Sequence, residues 1–98
     1  MRKDNILSVE IDELGRLLIK PETERFTQIY RTSSEVHWDQ KKCVLYSPKP
    51  REWNYFDWYK HILKIADEQC SCKLYLTSNT EWINIPDDLR DQIKFYDT

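Results

Sequence analysis

The sequence predicts an α+β fold: an antiparallel sheet of four to six strands built from hairpins, with one long and two short helices packed mainly on one face. Three observations carry that prediction. Leu7, Val9 and Ile11 alternate with Ser8, Glu10 and Asp12, the period of a half-buried strand. Phe56, Tyr59, Leu63, Ala66 and Cys70 recur instead at helical spacing. The strand-like segments also come in neighbouring pairs across short polar turns, which favours antiparallel pairing over a doubly wound sheet.

The first strand covers 7–11, and Leu17 and Ile19 repeat its alternation after the Glu13-Leu14-Gly15 turn, giving a hairpin. Pro21, followed by Glu22 and Glu24, then Phe26, Ile29 and Tyr30, with Arg31 last, fits a short helix over 21–31. The Thr, Ile and Tyr residues of that stretch leave a strand open. Segments 35–39 and 43–46 read as two strands joined by Gln40-Lys41-Lys42. Ser47-Pro48-Lys49-Pro50 is held extended, because each proline pushes the residue before it out of the helical region. Asn54 then caps the long helix, 54–69, with Asp57 in the first turn, where the helix dipole favours a carboxylate. Trp58, Ile62 and Ile65 widen its apolar stripe, so this helix centres the core. Cys72, Leu74 and Leu76 alternate with polar neighbours, and Trp82, Ile83 and Ile85 follow the Ser78-Asn79 turn, giving one strand or a third hairpin. Pro86-Asp87-Asp88 opens the last short helix, with Leu89 and Ile93 facing inward.

A chain of 98 residues makes one domain, 1–98, with no room for separate catalytic and substrate domains. Its single glycine, Gly15, excludes phosphate-cradling loops, which need two or more glycines to admit an anion to the backbone. No apolar run reaches the roughly 18 residues of a membrane span, and Met1-Arg2-Lys3 leads into Asp4 and Asn5 rather than an apolar signal core. Three cysteines do not build an extracellular disulfide framework, so Cys43, Cys70 and Cys72 are expected reduced and the protein cytoplasmic. The net charge of -2 argues against general affinity for nucleic acid. That charge is uneven, summing to -2 over 1–15, +3 over 16–80 and -3 over 81–98, so the C-terminal segment is the acidic part.

Several clusters could carry chemistry. Glu35, His37 and Asp39 share one face of a strand, as an acid/base site requires, although a solvated polar strand face needs no catalysis to explain it. His37-x-Asp39 with His61 has the residue types of a two-histidine, one-carboxylate iron site, but 98 residues cannot build the barrel that houses one. Cys70-x-Cys72 lacks a second pair at zinc spacing, so no metal is expected and both cysteines read as small buried hydrophobes. Asp87, Asp88 and Asp91 stabilise a helix start and also offer a charged face to a basic partner. Lys41 to Lys64 interleaves cations with rings, as single-stranded nucleic acid requires. Four tryptophans and six tyrosines are more than so small a core hides, leaving Trp53, Tyr75 and Trp82 as candidate exposed rings.

The run Val9-Glu10-Ile11-Asp12-Glu13-Leu14-Gly15-Arg16-Leu17-Leu18-Ile19 resembles the opening of the swapped-hairpin transition-state regulators. That resemblance implies dimerisation through interleaved hairpins and DNA binding. In length, charge and aromatic content the chain is similar to the small acidic α+β immunity proteins encoded beside polymorphic or contact-dependent toxins. This second resemblance implies occlusion of a cognate toxin, with no catalysis and no cofactor.

The expectation is therefore a non-catalytic protein-interaction module binding a protein partner, a basic toxin domain in the immunity case, through Glu81, Trp82, Asp87, Asp88 and Asp91. The alternative is a nucleic-acid binder using Lys49, Arg51, Trp53 and Lys60. An enzyme built on His37 and Asp39 ranks third.

Overall fold

The computed structural model describes residues 2–27, 29 and 35–97. Among them the chain forms β1 (Arg2–Ile11), β2 (Leu17–Pro21), β3 (His37–Asp39), β4 (Val44–Tyr46), α1 (Tyr55–Cys70), β5 (Cys72–Tyr75), β6 (Glu81–Ile83) and α2 (Asp87–Asp97). The six strands make one sheet in the order β3-β4-β2-β1-β5, with β6 also on β1.

Both expected N-terminal hairpins form. In β1–β2 the turn is closed by the Asp12 carboxylate, which accepts from the N–H groups of Leu14 (3.1 Å) and Arg16 (2.8 Å) and from the Arg16 guanidinium (2.8 Å). Gly15 supplies the left-handed residue this turn needs, at φ 80°. β3 and β4 pair antiparallel, and β4 continues antiparallel onto β2.

The sheet is mixed rather than antiparallel, and among the described residues there is no third hairpin. β5 pairs in parallel with Arg2 to Asn5 of β1, and β6 in parallel with Ser8 to Glu10, so the two lie end to end along one long strand. The parallel pairing follows from α1, which carries the chain across the sheet between β4 and β5 as a crossover helix. In the gap between β5 and β6, β1 carries a bulge between Ile6 and Ser8. There the buried Thr80 hydroxyl donates to the Ile6 carbonyl (2.7 Å) and accepts from the Thr77 N–H (2.9 Å), replacing a missing ladder bond. The bulge also rephases the alternation. Ile6 and Val9 are both buried, whereas Leu7, expected to face inward, is exposed.

No helix forms over the described part of 21–31. Pro21 ends β2 opposite Ile6, and the buried Asp4 carboxylate then accepts from the Thr23 N–H (2.9 Å), the Thr23 hydroxyl (3.0 Å) and the Glu24 N–H (2.8 Å). Those bonds tie the segment to β1 in an irregular path, while Phe26 and Ile29 still reach the core. Tyr30 and Arg31 lie outside the described residues, and two helices, not three, stand among those described.

α1 matches expectation within a residue at each end. The Asn54 side chain accepts from the Asp57 N–H (2.8 Å) as its N-cap, and Ser71 in the left-handed region ends the helix. Its buried face of Trp58, Tyr59, Ile62, Ile65 and Ala66 lies in one core with Ile6, Val9, Leu17, Ile19, Leu45 and Leu74, and Leu89 and Ile93 of α2 join it. Among the described residues, no helix is long and apolar enough to cross a membrane.

Candidate functional site

α1 has two flanks, and each borders a recess. On one side α2 buries Leu89 and Ile93, and the residues off that stripe face outward. Asp88 and Asp91 line an open groove there with Phe56, Gln92, Phe95 and Tyr96. Phe95 is 85% exposed and Tyr96 53% exposed, an unusual outlay for rings of that size. Phe56 and Tyr96 meet edge-on at 5.5 Å, with the Lys60 ammonium 4.6 Å from the Phe56 ring and 6.0 Å from that of Tyr96. Arg90 pairs with Asp87 (3.5 Å) and Asp91 (3.7 Å), whereas Asp88 has no ion-pair partner among the described residues.

The five residues expected to form an acidic site are thus only partly united. Asp87, Asp88 and Asp91 share α2, but strand alternation sends Glu81 and Trp82 to opposite faces of the sheet. Trp82, expected to be exposed, is half-buried against the core with the Lys94 ammonium 5.8 Å from its ring. Phe95 was missed by the sequence reading, although its place two residues after Ile93 puts it off the inward stripe.

On the other flank, the Pro48–Trp53 loop folds back on α1 and makes a cleft of about 560 Å³. Lys49, Arg51 and Trp53 share it with Trp58 and His61, and Glu35 and Glu52 stand at its edge. Lys60, grouped with them in the sequence, turns into the opposite groove and pairs with Asp57 at 3.7 Å. Three rings pack mutually in the cleft: Trp53–Trp58 at 5.0 Å, Trp53–His61 at 5.0 Å and Trp58–His61 at 5.5 Å. Trp53 remains 44% exposed. Trp58 is 6% exposed, and its indole N–H has no acceptor among the described residues. Two contacts, one from the start of α1 and one from the loop, tie this flank to the β1–β2 turn. The Tyr55 hydroxyl donates to the Gly15 carbonyl (2.8 Å), and the Lys49 stem lies where a side chain at Gly15 would begin. Burial, with the Asp12 charge second, pushes the Tyr55 phenol above its ordinary value, keeping it a donor.

The acid/base grouping does not assemble. Glu35 sits outside β3 in a left-handed turn, the His37 ring packs on Tyr46 at 5.3 Å, and the Asp39 carboxylate accepts from the N–H groups of Lys41 and Lys42. The Lys42 N–H is the main reason its carboxyl sits below the ordinary range, and both interactions belong to the turn. The three cysteines are free thiols, with Cys72 buried and Cys70 half-buried. Burial pushes both of those thiols above their ordinary value, which disfavours the nucleophilic thiolate. Among the described residues no three of His, Cys, Asp and Glu come together as a metal site.

Fold and side chains together define a small mixed-sheet α+β protein whose chemistry-bearing residues flank one crossover helix. The chain belongs to the Integron Cassette Protein Hfx_Cass5 family, whose model matches residues 4–82. Among solved structures it is similar to "Structure from the mobile metagenome of North West Arm Sewage Outfall: Integron Cassette Protein Hfx_Cass5", at 39% identity over 97% of this chain and 95% of that one, with a TM-score of 0.49. No curated protein matches the chain. The family membership overturns the resemblance to toxin immunity proteins, to which neither comparison points. The swapped-hairpin resemblance fails on topology: β2 is flanked by β4, and β1 by β5 and β6, leaving this hairpin no edge to interleave with another.

Proposed function

We propose that this protein is a non-catalytic, cytoplasmic binding module that takes a protein segment carrying a cation beside an apolar side chain in the groove between α1 and α2. The exposure of Phe95 and Tyr96 beside the carboxylates of Asp88 and Asp91 carries this reading. Exposed rings supply area to a partner at low entropic cost, and nearby carboxylates steer a basic one. The groove already hosts such chemistry, since Lys60 lies against Phe56 and near Tyr96. A guanidinium or ammonium from a partner would add a second cation–π contact, each worth about 0.5–1 kcal/mol at an exposed site. A long nucleic-acid strand suits the chain less well, because Lys60 is turned away from Lys49, Arg51 and Trp53 and the net charge is -2.

The test places a photocrosslinking amino acid at position 95 and, as a control, at the exposed Leu14. In nuclease-treated lysate of the source cells, position 95 should capture one protein that position 14 does not. Asp88→Lys with Asp91→Lys should lower that capture and flatten its dependence on salt. Equal capture from both positions, or capture indifferent to the charge reversal, would refute the groove.

A further inference from the structure

We infer that the cleft between the Pro48–Trp53 loop and α1 is a binding site for a single nucleotide, with its base on Trp53 and its phosphate between Lys49 and Arg51. The inference is independent of the α1–α2 groove. Four features of the cleft argue for that ligand.

The first is the ring wall. Trp53 is packed by Trp58 and His61 on one side and is 44% exposed on the other, so a planar, apolar surface is held rigid and open to solvent. Stacking of a base on such a ring is worth roughly 1–3 kcal/mol and tolerates any base, since every base has a π face. The second is the support behind that wall: Trp58 is 6% exposed and packs on both Trp53 and His61, so the open ring rests on the core.

The third feature is the pair of cations at the lip. Neither Lys49 nor Arg51 forms an ion pair among the described residues, whereas Lys60, Lys64 and Arg90 on the two helices all do. Pro48 and Pro50 fix the backbone on either side of Lys49, and the Lys49 stem rests on Gly15, so the ammonium is positioned before a ligand arrives. The fourth is Glu35 and Glu52 beside them. Two carboxylates repel a bare anion, but they accept hydrogen bonds from ribose hydroxyls or an exocyclic amine. Two cations and two carboxylates leave the lining without net charge, which favours a ligand with one anionic end over a polyanion. A strand would need a charged track and successive stacking rings, and here there is one exposed ring. The cleft volume of about 560 Å³ falls within the roughly 300–1,000 Å³ of small-molecule sites.

The experiment titrates the purified full chain with each of the four common ribonucleoside monophosphates, followed by calorimetry and by the indole N–H resonances. The matched nucleosides, inorganic phosphate and a ten-nucleotide oligouridylate are run alongside. The expected result is saturable 1:1 binding of at least one monophosphate, weaker by tenfold or more for its nucleoside and for phosphate alone. The Trp53 indole resonance should move on binding. Trp53→Ala and Arg51→Glu alter exposed side chains and spare the core, and each should weaken binding at least tenfold in a protein whose circular dichroism is unchanged. No saturable binding of any monophosphate at millimolar concentration would overturn the inference. So would affinity unmoved by both variants, a Trp53 resonance that stays in place on saturation, or binding confined to the oligonucleotide, which would reassign the cleft to a strand.

Discussion

Asp4 holds together a part of the fold that the sequence does not announce, and its removal should be costly and pH-dependent. Asp4 is 7% exposed, and its carboxylate accepts two backbone N–H groups, from Thr23 and Glu24, together with the Thr23 hydroxyl. Asp4→Ala leaves those two N–H groups without their acceptor, and at about 1.5 kcal/mol for each bond to a charged group the loss comes to about 3 kcal/mol. For a chain of this length that is a fall in Tm of roughly 12–24 °C. Asp4→Asn keeps one accepting oxygen and should cost about half as much. Burial pushes the Asp4 carboxyl up, but the Glu24 and Thr23 donors outweigh it and hold the group below its ordinary value of 3.8. A depressed carboxyl stabilises the fold above its unfolded pKa, and that contribution is lost as pH falls through the folded pKa. The gap between wild type and Asp4→Asn should therefore be flat from pH 7 to 5 and close below pH 4. Asp12, depressed by the N–H and guanidinium of Arg16 against its own burial, is common to both proteins and cancels in the difference. Urea unfolding followed by tryptophan fluorescence at several pH values measures the gap. A gap as wide at pH 3 as at pH 7, or an Asp4→Ala loss below about 1 kcal/mol, would refute this account of the carboxylate.

Two further predictions test how β1 and the cleft are held. Thr80→Val keeps the side-chain shape but removes the hydroxyl between Ile6 and Thr77, so stability should fall by about 2–3 kcal/mol, with faster hydrogen exchange at the Thr77 amide. A loss under about 0.5 kcal/mol would mean that the β5–β6 junction is held some other way. Gly15→Ala forces a side chain into the left-handed region, with its Cβ 3.2 Å from the Lys49 stem, and should cost about 1–2 kcal/mol. The same change should weaken nucleotide binding by displacing Lys49, and calorimetry on the folded variant would detect it.

What the sequence made legible was local. Asn54 with Asp57 marked the start of α1, its apolar stripe marked the buried face, and Glu13-Leu14-Gly15 marked the first turn, because each signal acts within four residues. The parallel pairing of β5 and β6 with β1 was not legible, since it joins residues some seventy positions apart and depends on where α1 delivers the chain. Nor was the bulge, for which an unbroken alternation from Leu7 to Ile11 gave the wrong phase at Leu7. That Asp87, Asp88 and Asp91 share one helix was legible, because Pro86 and the acidic first turn mark its start. The cleft was half found: Lys49, Arg51 and Trp53 lie close in sequence, but Trp58 and His61 join them only because the loop turns back over the first two turns of α1.

The fold itself explains why the two recesses lie where they do. One crossover helix covers a six-stranded sheet, and it must be sealed along both flanks by whatever chain remains. α2 has 11 residues and seals one flank through Leu89 and Ile93, leaving Phe56 and Tyr96 half-covered where the two helices part. A proline-stiffened loop seals the other, and it can lay Trp53 on Trp58 without covering its outer face. The far face of the sheet is closed by different contacts. Leu18 and Val44 are buried there, and the Arg16 guanidinium lies 4.7 Å above the Tyr46 ring, which in turn packs on His37. Trp53 is therefore left exposed on one flank of α1 and Phe95 and Tyr96 on the other, which is where the proposed ligand and partner would bind.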